Sequence, residues 1–182
     1  MWNWLPLLIA LIGIGCTEEK PPPSNVHREP LALREGLAYE HDSTQPFTGA
    51  VKRTHPNGQP STIIYYRDGQ QILLRTWTPE GRLEIEQRYH QGHLALVATW
   101  DRNGQFQPFR KSDELAVEQF SRANQLLGQT NFISGFVWLQ LAAYNGEPQA
   151  QRFLRAPLPS RVTDAQVEEI QRQSDILFDF GQ

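Results

Sequence analysis

His90 and His93 flank Gln91-Gly92 and straddle what reads as a tight turn. Imidazoles placed this way could approach one metal ion together. A structural zinc site needs four ligands, however, and no third is evident here, so a solvated hairpin without metal is the expectation. Glu84 and Glu86 alternate along the same stretch and could mimic the carboxylate pair of a glycosidase. Arg88 continues their row, which makes a wetted, charged strand face the expected arrangement. His41-Asp42 and His55 read as isolated polar loop residues. The chain carries no Gly-x-Ser-x-Gly elbow, no phosphate loop and no His-Glu-x-x-His pair. The expectation is a protein that is not an enzyme, with no catalytic residue, no metal and no cofactor.

The single cysteine, Cys16, allows neither an internal disulfide nor a paired-cysteine zinc site. Its surroundings suggest a different chemistry. Residues 4–15 (WLPLLIALIGIG) form an uncharged apolar run directly ahead of it. Such a run is shorter than the roughly 20 residues a bilayer span needs, and has the length of a signal-peptide apolar region. The stretch Leu11-Ile12-Gly13-Ile14-Gly15-Cys16 resembles a bacterial lipobox, with a small residue before the cysteine. The resemblance implies a signal peptide over residues 1–15 and acyl chains, palmitate among them, on Cys16. An ordinary cleaved signal, a short uncleaved anchor and a buried strand remain as other readings of the same run. Residues 16–32 are polar and proline-bearing at their start, the composition of a flexible tether. Thr17 in place of Asp after the cysteine implies, by the same resemblance, the outer membrane on its periplasmic side if the host is Gram-negative. A diacyl anchor with a further N-terminal chain exceeds the two signals that stable membrane attachment requires.

The rest of the chain must supply the surfaces. Gly58, Gly69, Gly81, Gly92 and Gly104 divide its middle into alternating rungs of 11 and 12 residues. Tyr66 recurs as Tyr89 and Trp77 as Trp100, each 23 residues on, which marks a repeat of small strand-turn-strand units. From Leu83 to Tyr89 apolar and charged residues alternate with the period of a strand. Asn57-Gly58, Asp68-Gly69 and Asn103-Gly104 are hairpin dipeptides; Pro79-Glu80-Gly81 and Gln91-Gly92 fill the other corners less typically. Short turns between successive strands predict an antiparallel meander over residues 33–110.

Arg34-Glu35-Gly36-Leu37-Ala38-Tyr39, followed by Pro46-Phe47-Thr48-Gly49, and the aromatic-x-x-(Asn/Asp)-Gly rungs ending at Gly69 and Gly104 are similar to variant MORN-repeat proteins of bacteria. That resemblance implies a binding or scaffold sheet. Tyr65, Trp77, Tyr89 and Trp100 are its candidate binding surface, the alternative being that they, with Tyr66, fill the covered side of the sheet.

Past residue 110 the apolar spacing changes to threes and fours: Ala116, Phe120, Ala123, Leu127. Ser112 is placed to cap this first helix and Gly128 to end it. A second helix, about residues 134–145, is apolar nearly all round and should be sandwiched. Pro148 suits the start of a third. Thr163-Asp164-Ala165-Gln166 is a capping box opening a last helix with Val167, Ile170, Ser174 and Leu177 on one face. Trp138-Leu139, Ala142-Ala143, Gly146, Ala150 and Leu154 resemble one Sel-one-like helical repeat, which implies contact with another protein. A lone unit cannot bury a continuous core by itself, since such arrays need about three.

The expected fold is therefore α+β: an antiparallel β-meander of MORN-like hairpin repeats, then a small α-helical repeat region over residues 111–182. The expected function is a non-enzymatic, envelope-anchored lipoprotein that binds or scaffolds a protein partner. The alternative, drawn from family labels, is an immunity or antitoxin-type protein that neutralises a secreted toxin. A net charge of −3 and scattered basic residues give no reason to expect nucleic acid.

Overall fold

The computed structural model describes residues 26–27 by their backbone, and residues 31–108 and 113–178. Cys16, the expected signal peptide and the tether up to residue 25 lie outside the described residues. The described chain is α+β, and it divides into two compact units between Arg110 and Lys111. No described helix is long and apolar enough to cross a membrane.

In the first unit, strands β4 (Gly49–Thr54), β5 (Pro60–Arg67), β6 (Gln70–Trp77), β7 (Leu83–His90), β8 (His93–Trp100) and β9 (Phe106–Pro108) pair antiparallel in chain order. β1 (Val26–His27) adds to the edge of β4 in parallel, and β2 (Ala32–Arg34) pairs with β3 (Leu37–Tyr39) as a separate hairpin. Residues 26–27 and 32, counted with the tether in the sequence, thus carry paired backbone.

Two kinds of turn alternate, and they account for the unequal rungs. Asp68-Gly69 and Gln91-Gly92 are two-residue loops with positive φ at both positions (50° and 76°, 51° and 78°), the geometry whose twist suits a hairpin. The other three corners are three-residue loops. At each, the residue before the loop accepts from the glycine N–H that ends it, Gly58 to His55, Gly81 to Thr78 and Gly104 to Asp101, all at 2.9 Å. Their glycines also hold positive φ, the mark of a type I turn closed by a glycine bulge. Asn57-Gly58 and Asn103-Gly104 are therefore the ends of longer loops, whereas Gln91, the less typical turn residue, occupies the tighter geometry.

The register slips once beside each of the first four ladder turns, and runs unbroken between β8 and β9. Tyr65 pairs with Leu73 but Tyr66 with Gln71, leaving Ile72 as an extra residue; Arg88 pairs with Leu96 but Tyr89 with Leu94, leaving Ala95. At the other end of the strands, Ser61 and Glu84 are the extra residues. The bulges at Ser61 and Ile72 recur 23 positions along, at Glu84 and Ala95, so over β4 to β8 the sequence period is also a period of backbone geometry.

Stacked corners bond to one another. His55 Nε2 donates to the Trp77 carbonyl at 2.8 Å, Asn57 Nδ2 to that of Pro79 at 2.7 Å, and Arg82 Nη1 to that of Arg102 at 2.8 Å. His55 is thus an inter-turn tie rather than an isolated loop residue. At the opposite end the β2–β3 hairpin closes on the 68–69 turn: Ala38 N–H donates to the Gly69 carbonyl, Gly69 N–H to that of Phe47, and Phe47 N–H to that of Ala38, each at 2.8 Å.

The second unit comprises α1 (Asp113–Gly128), α2 (Phe132–Tyr144), α3 (Pro148–Arg155) and α4 (Asp164–Phe178). The other three helices pack on α2, whose Val137, Trp138, Leu139, Leu141 and Ala142 are at most 1% exposed. Burial on all sides is what its continuous apolar sequence requires. A Cβ on Gly135 would lie 2.7 Å from Leu127, so a glycine lets α1 and α2 approach closely. Asn131 caps α2, accepting from Ser134 N–H at 3.3 Å, a start two residues ahead of the expected one. Ser112 lies outside the described residues. The capping box on α4 forms in both directions between Thr163 and Gln166, and Ile170, Ser174 and Leu177 are buried as the spacing predicts.

A Cβ at Gly69 would meet Leu37 Cβ at 2.9 Å, the Ala38 carbonyl at 3.1 Å and Pro46 Cβ at 3.1 Å, whereas at Gly92 it meets nothing. Both positions carry the left-handed backbone penalty, roughly 1–2 kcal/mol for alanine. Gly69→Ala is expected to cost about 2 kcal/mol more than Gly92→Ala because packed neighbours must shift as well. Urea unfolding midpoints of the two variants check this.

Candidate functional site

Strand alternation, corrected at each bulge, assigns every side chain of the meander to one of two faces. Cross-strand pairing links Ile63, Arg75, Glu86 and Ala98 in one row, with Tyr65, Leu73, Arg88 and Leu96 in the next. The opposite face carries the rows Thr62, Thr76, Ile85, Thr99; Ile64, Leu74, Gln87, Val97; and Tyr66, Gln71, Tyr89, Leu94.

The first face is the charged one, but it is not wetted throughout. The Glu86 side chain is 2% exposed. Its Oε2 accepts from Arg75 Nε at 2.7 Å and its Oε1 from Arg88 Nε at 2.8 Å. Arg75 reaches across from β6 and Arg88 lies two residues along β7, so the carboxylate is gripped from two directions. Leu96 and Ala98, its neighbours on β8, are at most 1% exposed. A carboxylate at such a depth needs this double pairing, because an unpaired buried charge is very costly. The expected wetted row of Glu84, Glu86 and Arg88 is thereby corrected: Glu84 sits in a bulge and is exposed, while Glu86 is interior. The sequence signal available was Arg75, eleven residues upstream on a facing strand.

His90 and His93 do pair directly across the turn. His93 is exposed but His90 is largely buried, and burial pushes its imidazole down to about 4. The solvated-hairpin expectation is thus corrected for His90. Among the described residues no three His, Cys, Asp or Glu side chains group as metal ligands.

The four aromatics of the candidate binding surface do not share a face. Register places Tyr65, Trp77 and Trp100 on the charged side and Tyr89 on the other, with Tyr66. All five are half-buried and none is fully enclosed. Trp100 meets Phe106 edge-on, and Tyr66 meets Phe47 edge-on, each with ring centroids 5.8 Å apart. Tyr89 Oη donates to Gln87 Oε1 at 2.8 Å. Burial raises the phenol pKa of both Tyr66 and Tyr89, so both remain neutral near pH 7.

Two hollows lie among the described residues. In the helical unit, Phe136, Phe153, Leu158 and Ile170 help to line a cavity of about 20 Å³, room for one water at most. In the sheet unit, Glu40, Ser43, Phe47, Thr48 and Asp68 help to line an open polar depression beside the 68–69 turn. What the arrangement offers chemically is surface: one sheet face with buried ion pairing, and another with neutral hydroxyl, amide, aliphatic and tyrosyl groups.

Glu86→Gln leaves two guanidinium groups facing a neutral amide, and is expected to cost about 3 kcal/mol or more. Arg75→Gln, at a 36% exposed side chain, should cost less, because one ion pair persists and solvent reaches the site. Denaturant titration of both variants is the check. The His90 imidazole titrates near 6.5 in the unfolded chain but about 4 in the folded one. Stability from this group is therefore complete above about pH 6.5 and declines as pH falls towards 4, by on the order of 3 kcal/mol. A His90→Gln variant should show a flatter stability profile across that window. The chain matches no family model, no curated protein and no solved structure.

Proposed function

We propose that this protein is a lipid-anchored envelope lipoprotein, without catalytic activity, that holds another protein on its repeat surfaces. The observation that carries the binding role is recurrence. Tyr66 and Tyr89 occupy the same position in β5 and β7, and Trp77 and Trp100 the same position in β6 and β8, all only half-buried. Tyrosine and tryptophan displayed on rigid strands are the side chains that contribute most at protein interfaces. The MORN-like resemblance of the sheet points the same way.

The helical unit adds support. Trp138-Leu139 and Ala142-Ala143 lie on α2, with Ala150 and Leu154 on α3, the distribution of a Sel-one-like repeat. Ala150 is fully buried where the two helices meet. The anchor rests on Cys16 and the apolar run before it. Acylation there would fix the two units to a membrane surface through the residues between Cys16 and β1.

Co-purification of the tagged full-length protein from gently solubilised native membranes tests both halves. The wild-type protein is expected in the membrane fraction, the Cys16→Ser variant outside it, and one stoichiometric protein is expected to accompany the wild type. A resident envelope component as that partner supports scaffolding; a secreted toxin would assign an immunity role instead. A wild-type protein that is soluble and isolated would overturn the proposal.

A further inference from the structure

The two faces of the meander differ in charge far more than composition requires. Lys52, Arg75, Glu86, Arg88 and His90 all belong to the same face. The opposite face of β4 to β8 holds a single charged side chain, Arg53 at its rim, with Glu84 in the adjoining bulge. Its side chains from β5 to β8 are all half-exposed, and they form three cross-strand rows: hydroxyl-rich, aliphatic and tyrosyl. We propose that this neutral face is the contact surface of a homodimer, in which two meanders pack face to face about a twofold axis along the central row, Ile64, Leu74, Gln87, Val97.

Size favours a second copy. Five strands of up to eight residues give a face roughly 24 by 26 Å, about 600 Å² in projection. The accessible area of a side-chain-textured face exceeds its projection, and a stable interface takes about 800 Å² from each partner. The whole face is therefore used, and sheet-on-sheet packing is the geometry that uses it whole.

Charge favours it too. A twofold interface sets a surface against itself, which a face bearing Lys52, Arg75 and Arg88 would resist and a neutral face does not. Shape agrees. The proposed axis lays Tyr66 over Thr62 and Tyr89 over Ile85 of the other copy, each pair sharing a strand. It also sets Gln71 of one copy opposite Thr76 of the other, since both lie on β6 on either side of the axis. Thr76 Oγ1 is buried without a hydrogen-bond partner in the single chain, and the Gln71 amide, which lies within reach of the Tyr89 hydroxyl in its own chain, is the polar group that the axis sets opposite it.

The inference needs no lipid on Cys16; the dimer takes up Tyr66 and Tyr89, which leaves Trp77 and Trp100 on the charged face for another protein. Full-length protein in a Cys16→Ser background is compared with Leu74→Cys at the proposed axis or Arg67→Cys, exposed on the opposite face, using a short bis-maleimide. Leu74→Cys is expected to be captured as a dimer at least about tenfold more than Arg67→Cys. Adding Gln87→Lys, a side chain that a lone sheet tolerates in solvent, should lower association at least about tenfold by burying an unpaired charge in the dimer. Equal capture at the two positions, or a protein mass of one chain by light scattering at tens of micromolar, would overturn the proposal.

Discussion

A backbone constraint underlies the rest of the sheet: at each corner, at least one residue must hold a left-handed conformation. Glycine meets it at all five ladder positions. Two-residue and three-residue loops alternate, and a bulge lies beside each of the first four ladder turns. The bulge then decides which residues face which way. A one-residue change of register would carry Glu86 to the face of Tyr89 and strip it of Arg75.

From that geometry follows the division of labour between the faces. The interior carboxylate of Glu86 requires both guanidinium groups, and both lie where the register puts them. The pairing need not add net stability over a hydrocarbon of the same shape. Its consequence is selectivity, since a slipped strand would bury an unpaired charge. Concentrating charge on one face leaves the other neutral, and a half-exposed neutral sheet face of this size suits association more than solvation.

Much of this was legible in the chain. The 23-residue period, the strand alternation, the helix boundaries near Gly128 and Asn145, and the capping box at Thr163 all rest on local chemistry, and the structure has them. Burial of Glu86 was not legible, because its partner Arg75 becomes a neighbour only when β6 and β7 pair. His90 misled for a similar reason: its exposure depends on neighbours beyond its own turn, whereas His93 three residues away is exposed. Which face each aromatic takes was not legible either. Tyr66 and not Tyr65 is the 23-residue mate of Tyr89, and the extra residue Glu84 puts Tyr89 on the face opposite Trp77.

The account stands on the bulged register, and cross-strand backbone NOEs in isotopically labelled protein test it most directly. Paired contacts are expected for Arg88 with Leu96 and for Tyr89 with Leu94, with Ala95 unpaired, and again for Tyr65 with Leu73 and Tyr66 with Gln71, with Ile72 unpaired. Bulge-free pairing running on from the turns, Arg88 with Ala95 and Tyr65 with Ile72, would contradict it, and would dissolve the separation of charged and neutral faces.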